Sequence, residues 1–284
     1  MFLSPSDCFT LNNGVRIPCL GFGTYLTPEG SVCVDSVITA LQSGYRHIDT
    51  AEFYANETSV GKAVAESGIP RDEIFVTTKL WNTHQGYDST LYRFDESMKK
   101  LGLETLDLYL VHWPMAKDFI ADYPKQFLAT WRAFEKLYED GRVRAIGVCN
   151  CKKHHLNVIL DECKVVPAIN QIEFHPGIMQ TEAVEFSKRN GIVVEAWSPL
   201  CRGRAFGRRE LVSVAEAHSK TQAQVLLRWC LQKEILPLPK SVTPERIRSN
   251  AEIFDFALTA EETALIDSMD GIGRIGSDPD EAKY

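Results

Sequence analysis

The sequence predicts an α/β protein folded as a (β/α)8 TIM barrel, a single domain over residues 1–284. Three observations lead there. Short apolar runs alternate with amphipathic helical stretches in eight successive units, and parallel strands need crossovers of this kind. The runs are almost continuously apolar, as strands covered on both faces must be. The length of 284 residues is close to the roughly 250 typical of one such barrel. An open, doubly wound sheet would also use such units. However, Gly21-Phe22-Gly23-Thr24-Tyr25 lacks the third glycine of the dinucleotide fingerprint, which disfavours that topology.

The elements follow in order. A hairpin comes first, Phe9-Thr10-Leu11 and Val15 to Pro18 around Asn12-Asn13-Gly14. The eight strand runs are Cys19–Gly23, Tyr45–Asp49, Ile74–Lys79, Leu106–His112, Val143–Val148, Ala168–Ile172, Ile192–Ala196 and Ile235–Pro239. The first six are followed by helical stretches at Val32–Leu41, Val60–Glu66, Ser89–Leu101, Phe127–Glu139, His155–Glu162 and Glu182–Arg189. The seventh run is followed by two, Glu210–His218 and Ala223–Gln232, and the eighth by Pro244–Phe254 and Ala260–Met269. This gives extra helices after strands 7 and 8. Ser43-Gly44, Ser67-Gly68, Asp140-Gly141 and Asn190-Gly191 each put glycine just past a helical run.

Composition excludes several classes. A net charge of −7 leaves no basic excess to neutralise phosphates, so no nucleic-acid partner is expected. No apolar run reaches membrane-spanning length, and Met1 to Cys8 lacks the charge and apolar stretch of a signal peptide. The eight cysteines form no CxxC pair and no zinc-spaced cluster. They read as buried thiols in a reducing, cytoplasmic setting, with no metal required.

The chemistry should lie at the C-terminal ends of the strands. The second run ends in Asp49-Thr50, the third in Lys79 and the fourth in His112-Trp113-Pro114. Alone, such an aspartate is usually a cap, such a lysine surface and such a histidine core. On three neighbouring strands they should converge. Tyr54 lies five residues after Asp49, above the barrel mouth. Lys79 beside a phenol favours the phenolate and should lower the tyrosine pKa from about 10. A proton donor with His112 beside it suits reduction of a carbonyl, which further requires a hydride source such as nicotinamide. A barrel lysine could instead form a Schiff base, and a barrel could also hold a cofactor merely as a sensor.

The sequence resembles the aldo-keto reductases over essentially its whole length. The motifs are Gly44-Tyr45-Arg46-His47-Ile48-Asp49-Thr50-Ala51, Tyr54, Thr78-Lys79-Leu80-Trp81 and Asp107-Leu108-Tyr109-Leu110-Val111-His112-Trp113-Pro114. Further along come Asn170-Gln171-Ile172-Glu173-Phe174-His175-Pro176, Trp197-Ser198-Pro199-Leu200 and Pro239-Lys240-Ser241-Val242-Thr243. The resemblance implies NADPH-dependent reduction of aldehydes and ketones, with Asp49, Tyr54, Lys79 and His112 as the catalytic group and Tyr54 as general acid. It implies that Asn150 and Gln171 hold the nicotinamide carboxamide and that Trp197 stacks on its ring. Ser198 and Leu200 match pyrophosphate positions, and Lys240, Ser241 and Arg246 match the 2′-phosphate site. Val242 and Thr243 lie in the same segment, Asn250 matches an adenine contact, and Gly23, Thr24 and Tyr25 complete the cofactor side. Tyr25, Trp81, His112, Trp113 and Phe119 are expected around the substrate.

Some positions depart from the family pattern. Cys149 stands where serine is common, Tyr25 where tryptophan often stands, and Ser249 where Glu or Gln usually precedes the asparagine. The segment 201–209 carries four arginines, Arg202, Arg204, Arg208 and Arg209, expected to face solvent or to attract cofactor phosphates. The short tail Ile275 to Asp280, the run Trp81 to Tyr87 and the short 115–124 loop resemble the branch of the protozoal prostaglandin F synthases and bacterial diketogluconate reductases. That likeness implies a monomer acting on a small carbonyl such as methylglyoxal, a sugar-derived ketone or prostaglandin H2.

Overall fold

The computed structural model describes residues 2–281, apart from the side chains of Asp118 and Phe119. The hairpin forms first in the chain, β1 (Cys8–Thr10) antiparallel to β2 (Arg16–Pro18), with Phe9 opposite Ile17. Leu11 and Ile17 are buried with Phe75, Ile169 and Leu236. Phe75, Ile169 and Leu236 are the first residues of their strands, so the hairpin plugs the end of the barrel opposite the expected site.

Eight parallel strands make the barrel wall. They are β3 (Gly21–Gly23), β4 (His47–Asp49), β5 (Phe75–Leu80), β6 (Leu106–Val111), β7 (Val143–Cys149), β8 (Ile169–Glu173), β9 (Val193–Trp197) and β10 (Leu236–Pro237). Each pairs with the next, and the Gly23 N–H donates to Pro239 O at 3.0 Å across the remaining seam. Four strands, β3, β4, β6 and β10, are shorter than the apolar runs suggest. Tyr45, for instance, is not in β4, because its N–H turns back to Ala40 O at 3.1 Å and closes the preceding helix. At the other end of the wall β7 runs on to Cys149.

The helices form the outer layer: α1 (Ser31–Gln42), α2 (Glu57–Glu66), α3 (Tyr87–Leu101), α4 (Tyr123–Glu139), α5 (Lys153–Leu160), α6 (Thr181–Arg189), α7 (Arg209–Ala217), α8 (Gln222–Gln232), α9 (Pro244–Ala251) and α10 (Ala260–Asp267). Two follow β9 and two follow β10, as expected. Helix α4 starts four residues before the apolar pattern does, with Pro124 in its first turn, where a missing N–H costs nothing. Among the described residues no helix is long and apolar enough to cross a membrane.

Outward-facing strand residues such as Ile48, Val76, Tyr109 and Val148 pack under the helices in one continuous cluster. Helix α8 is buried along most of its length, and its Arg228 is 1% exposed. That guanidinium donates to Phe2 O at 2.8 Å and Ile253 O at 3.3 Å, tying the N-terminal arm to the helical layer. The cysteines are free thiols; Cys19, Cys33, Cys149, Cys151, Cys201 and Cys230 are buried, and Cys8 and Cys163 are half-buried.

Helix α2 meets α3 through Gly61. A Cβ there would lie 2.1 Å from Leu101 O, a backbone atom that cannot step aside. Helix propensity alone predicts that Gly61→Ala stabilises by about 1 kcal/mol. We expect the opposite, a net loss of about 2 kcal/mol from overpacking. Urea unfolding of the two proteins measures the sign, and a stabilised variant would contradict the α2–α3 contact.

Candidate active site

Three strands deliver the central group. Asp49 ends β4, Lys79 lies near the end of β5, and His112 follows β6, its N–H bonded to Leu80 O at 3.2 Å. The Lys79 Nζ donates to Asp49 Oδ1 at 2.6 Å and to Thr50 O at 2.8 Å. It also reaches Tyr54 Oη at 3.4 Å. Tyr54 is carried by a single 3-10 turn, Glu52–Tyr54, directly after β4. That turn was not legible in the sequence. Its short arm swings the phenol back over the ammonium.

Electrostatics corrects one expectation. Burial of the Tyr54 hydroxyl raises its pKa above the ordinary value, and Lys79 only partly opposes this, with Asp49 reinforcing the rise. Burial is the main reason, and the Asp49 carboxylate 2.6 Å from the ammonium offsets part of the Lys79 field as well. Tyr54 is therefore a protonated phenol near neutral pH, not a phenolate. Burial works against the Lys79 charge too, but Asp49 and Tyr54 more than offset it and its pKa lies above the ordinary range. Burial and then the Lys79 charge hold the His112 pKa well below the usual value, so its imidazole is neutral.

The cleft above this group has a volume of about 540 Å³. Tyr25, Trp81, His112, Trp113, Asn150, Gln171, Trp197, Ser198, Leu200 and Lys240 all line it, as do Gly23 and Asp49. Thr24 lies behind this wall, fully buried, its hydroxyl on Asp49 O at 3.0 Å. Ser241, Val242, Thr243 and Arg246 lie beyond it around the start of α9, and Asn250 sits buried in that helix. The side chain of Phe119 is outside the described residues.

Asn150 donates to His112 O at 2.9 Å and accepts the Trp197 indole N–H at 2.8 Å, which orients both the amide and the ring. It does so with a left-handed backbone, φ 59°. Cys149 beside it is buried, with its pKa well above the ordinary thiol value through burial. Of the four loop arginines only Arg202 reaches the cleft, its guanidinium 6.0 Å from the Tyr25 ring centre. Arg204 donates to Arg274 O at 3.3 Å, and Arg209 opens α7.

Sequence reasoning missed two parts of the wall. Phe53 is 47% exposed and stacks on Trp81 with ring centres 3.8 Å apart. Glu52 fixes that stack, accepting the Trp81 N–H at 3.1 Å and pairing with His84 at 2.9 Å. The signal available was an aromatic residue in a polar loop next to Tyr54. The second part is the tail. Glu173, fully buried at the end of β8, accepts the N–H groups of Ile275 at 2.5 Å and Gly276 at 3.3 Å. Gly276 lies so close to the Trp197 ring that a Cβ would sit 2.5 Å from it. Lys152 clamps the chain further on, with Asp278 at 2.5 Å and Asp280 at 2.6 Å. His154 and His155 complete this cluster around Asp280, at 2.8 and 3.2 Å, but a lysine already occupies its carboxylates.

With this geometry the family model for the aldo/keto reductases matches residues 20–270. The chain belongs to the aldo/keto reductase family. Two relatives are similar over nearly their full length. Glyoxal reductase of Bacillus subtilis is 46% identical, with 99% of each chain covered. The 9,11-endoperoxide prostaglandin H2 reductase of Trypanosoma cruzi is also 46% identical, over 96% of this chain and 95% of that protein. Among solved structures, a variant of Gox0644 in complex with NADPH superposes with a TM-score of 0.89 at 41% identity, covering 98% of this chain and 99% of that one.

Within this aldo/keto reductase barrel, a polar layer lies beneath the catalytic group. His47 on β4 is fully buried, with Nε2 3.0 Å from Thr77 Oγ1 and no partner for Nδ1. Burial and the Lys79 charge push its pKa down to about 3. The unfolded chain therefore takes up this proton near pH 6.5, and stability contributed by neutral His47 is lost as pH falls from there toward 3. The slope is up to about 1.4 kcal/mol per pH unit. We expect His47→Asn to flatten the acid limb between pH 6.0 and 4.5 by a comparable amount in urea titrations. An unchanged slope would show that His47 does not stay neutral.

Proposed function

We infer that this chain is an NADPH-dependent carbonyl reductase, converting aldehydes and ketones to alcohols. The observation that carries this is the Asp49–Lys79–Tyr54 relay opening onto the cleft beside neutral His112. The residues present suit the dinucleotide. Asn150 and Gln171 offer amide groups at the cleft floor, and Trp197 offers a ring face. Lys240 is half-buried with its pKa lowered by burial, and among the described residues neither it nor the exposed Arg246 is paired with a carboxylate. Two unneutralised cations beside Ser241 and Thr243 favour the 2′-phosphate of NADPH over NADH.

NADPH, when bound, supplies the hydride. The protein's own part is positioning and proton transfer. Neutral His112 donates a hydrogen bond to the carbonyl oxygen and sets its direction. Tyr54, held protonated, delivers the proton to the same oxygen as negative charge grows there. Lys79 at 3.4 Å then stabilises the resulting phenolate, while Asp49 keeps the lysine charged and oriented. The aromatic wall of Tyr25, Phe53, Trp81 and Trp113 shields the oxygen from water and suits substrates with an apolar face. The similarity to a glyoxal reductase and to a prostaglandin H2 reductase supports small 2-oxoaldehydes, and an endoperoxide, as the first compounds to try. We further take residues 1–284 as one barrel domain acting as a cytoplasmic monomer.

Tyr54→Phe is expected to lower aldehyde reduction about 10²- to 10⁴-fold. NADPH affinity, followed by tryptophan fluorescence, should stay within about twofold, because the hydroxyl acts on the substrate and not on the cofactor. Wild-type turnover in this variant would remove Tyr54 as the acid. Lys240→Ala should weaken NADPH about 10- to 100-fold, the worth of a charged hydrogen bond. NADH should change little, and equal losses for the two cofactors would remove Lys240 from the 2′-phosphate site.

A further inference from the structure

Below the catalytic relay lies a carboxyl group that the reaction described above does not use. Glu195 sits in the middle of β9, pointing into the barrel, and is fully buried. Its Oε2 is 2.9 Å from Gln171 Nε2, while its Oε1 has no hydrogen-bond partner; Nε2 of the neutral His47 is 4.0 Å away. A buried carboxyl so poorly served costs stability and calls for another reason to be there.

Gln171 provides the reason. The same Nε2 lies 2.9 Å from Asp49 Oδ2. An amide nitrogen carries two hydrogens, and here one goes to each carboxyl group. If the amide were turned over, its oxygen would face two carboxyl groups, one of them the Asp49 carboxylate that pairs with Lys79. The nitrogen is therefore locked inward, and the amide oxygen is the group left for the cleft that Gln171 lines. Asp49 alone would hold one hydrogen and leave the other buried and unpaired. Asn150 is fixed in the complementary sense. Its oxygen takes the Trp197 N–H and its nitrogen holds His112 O, which leaves that nitrogen's second hydrogen to give. One acceptor and one donor thus flank the cleft floor, and a carboxamide satisfies both in only one of its two orientations.

We propose that Glu195 is a positioning residue for the nicotinamide carboxamide, acting through Gln171 by fixing which end of that amide faces the cleft. The inference rests on the reading of the cleft as the NADPH site. It assigns Glu195 no contact with cofactor or substrate.

The test compares binding of NADPH with binding of 2′,5′-ADP, which has the adenosine half and no carboxamide, by calorimetry. Glu195→Leu removes the acceptor at similar size, and Glu195→Gln keeps an acceptor oxygen. We expect Glu195→Leu to weaken NADPH about tenfold, a typical consequence of one lost buried acceptor, and to leave 2′,5′-ADP within about twofold. Glu195→Gln should restore NADPH to within about threefold of wild type, since its oxygen still receives the Gln171 hydrogen. In a Gln171→Ala background, adding Glu195→Leu should cost nothing further. Unchanged NADPH binding in the leucine variant, equal weakening of both ligands, or failure of glutamine to rescue would each overturn the role. If the leucine variant does not fold, Glu195→Met carries the same comparison. Tyr54→Phe separates the two levels: if it stays active, the reading of the site fails. If it is inactive while Glu195→Leu binds NADPH normally, only the role of Glu195 fails.

Discussion

The ion pair between Lys79 and Asp49 is the constraint on which the rest of the site depends. An ammonium with no exposed surface is tolerable only with a carboxylate against it and its other hydrogens satisfied. Thr50 O and Tyr54 Oη take those positions. The pair is thus the reason the phenol is where it is. Burial keeps the phenol protonated, and Asp49 supports it by opposing part of the Lys79 field at the hydroxyl. His112 feels the residual positive field and burial together, and stays neutral. Burial and this one pair together set the three protonation states.

The same pair reaches downward. Asp49 spends one oxygen on Lys79 and the other on Gln171, so the catalytic charge and the cleft-floor amide share a carboxylate. Glu195, Thr77 and His47 form the next layer, and the hydrophobic plug of Leu11, Ile17 and Phe75 lies below that. The barrel interior is polar near its mouth and apolar at its base. This gradient places the polar groups where a substrate can use them and gives the strands a dry end to close on.

Much of this was legible in the sequence, for physical reasons. The strand–helix alternation follows from apolar runs long enough to identify, and the strand-end positions of Asp49, Lys79 and His112 follow from barrel geometry. Tyr54 needed the family motif, because a five-residue loop has no periodicity to fix its direction. The depressed phenol pKa was a misjudgement of a kind that sequence invites. Lys79 near a tyrosine can be read, but the distance at which Asp49 neutralises it cannot. The tail against Trp197 was invisible because it is held to Glu173, 102 and 103 positions away, through the backbone N–H groups of Ile275 and Gly276, which any side chain would offer. The Glu195–Gln171 contact was hidden differently: glutamate in an apolar run looks like a flaw in the strand until its neighbour on β8 is known.

The free thiols take on meaning beside this chemistry. An enzyme that gathers aldehydes meets compounds that add to thiolates as hemithioacetals and later cross-link them. This chain carries eight cysteines, yet burial raises the pKa of every one of them, from the half-buried Cys8 and Cys163 to the deeply buried Cys149, Cys151 and Cys230. Cys19, Cys33 and Cys201 are likewise pushed up to about 12. Sulfur nucleophiles are thus held in the unreactive thiol form. The barrel that concentrates electrophiles at its mouth thus offers them few thiolates elsewhere on the chain.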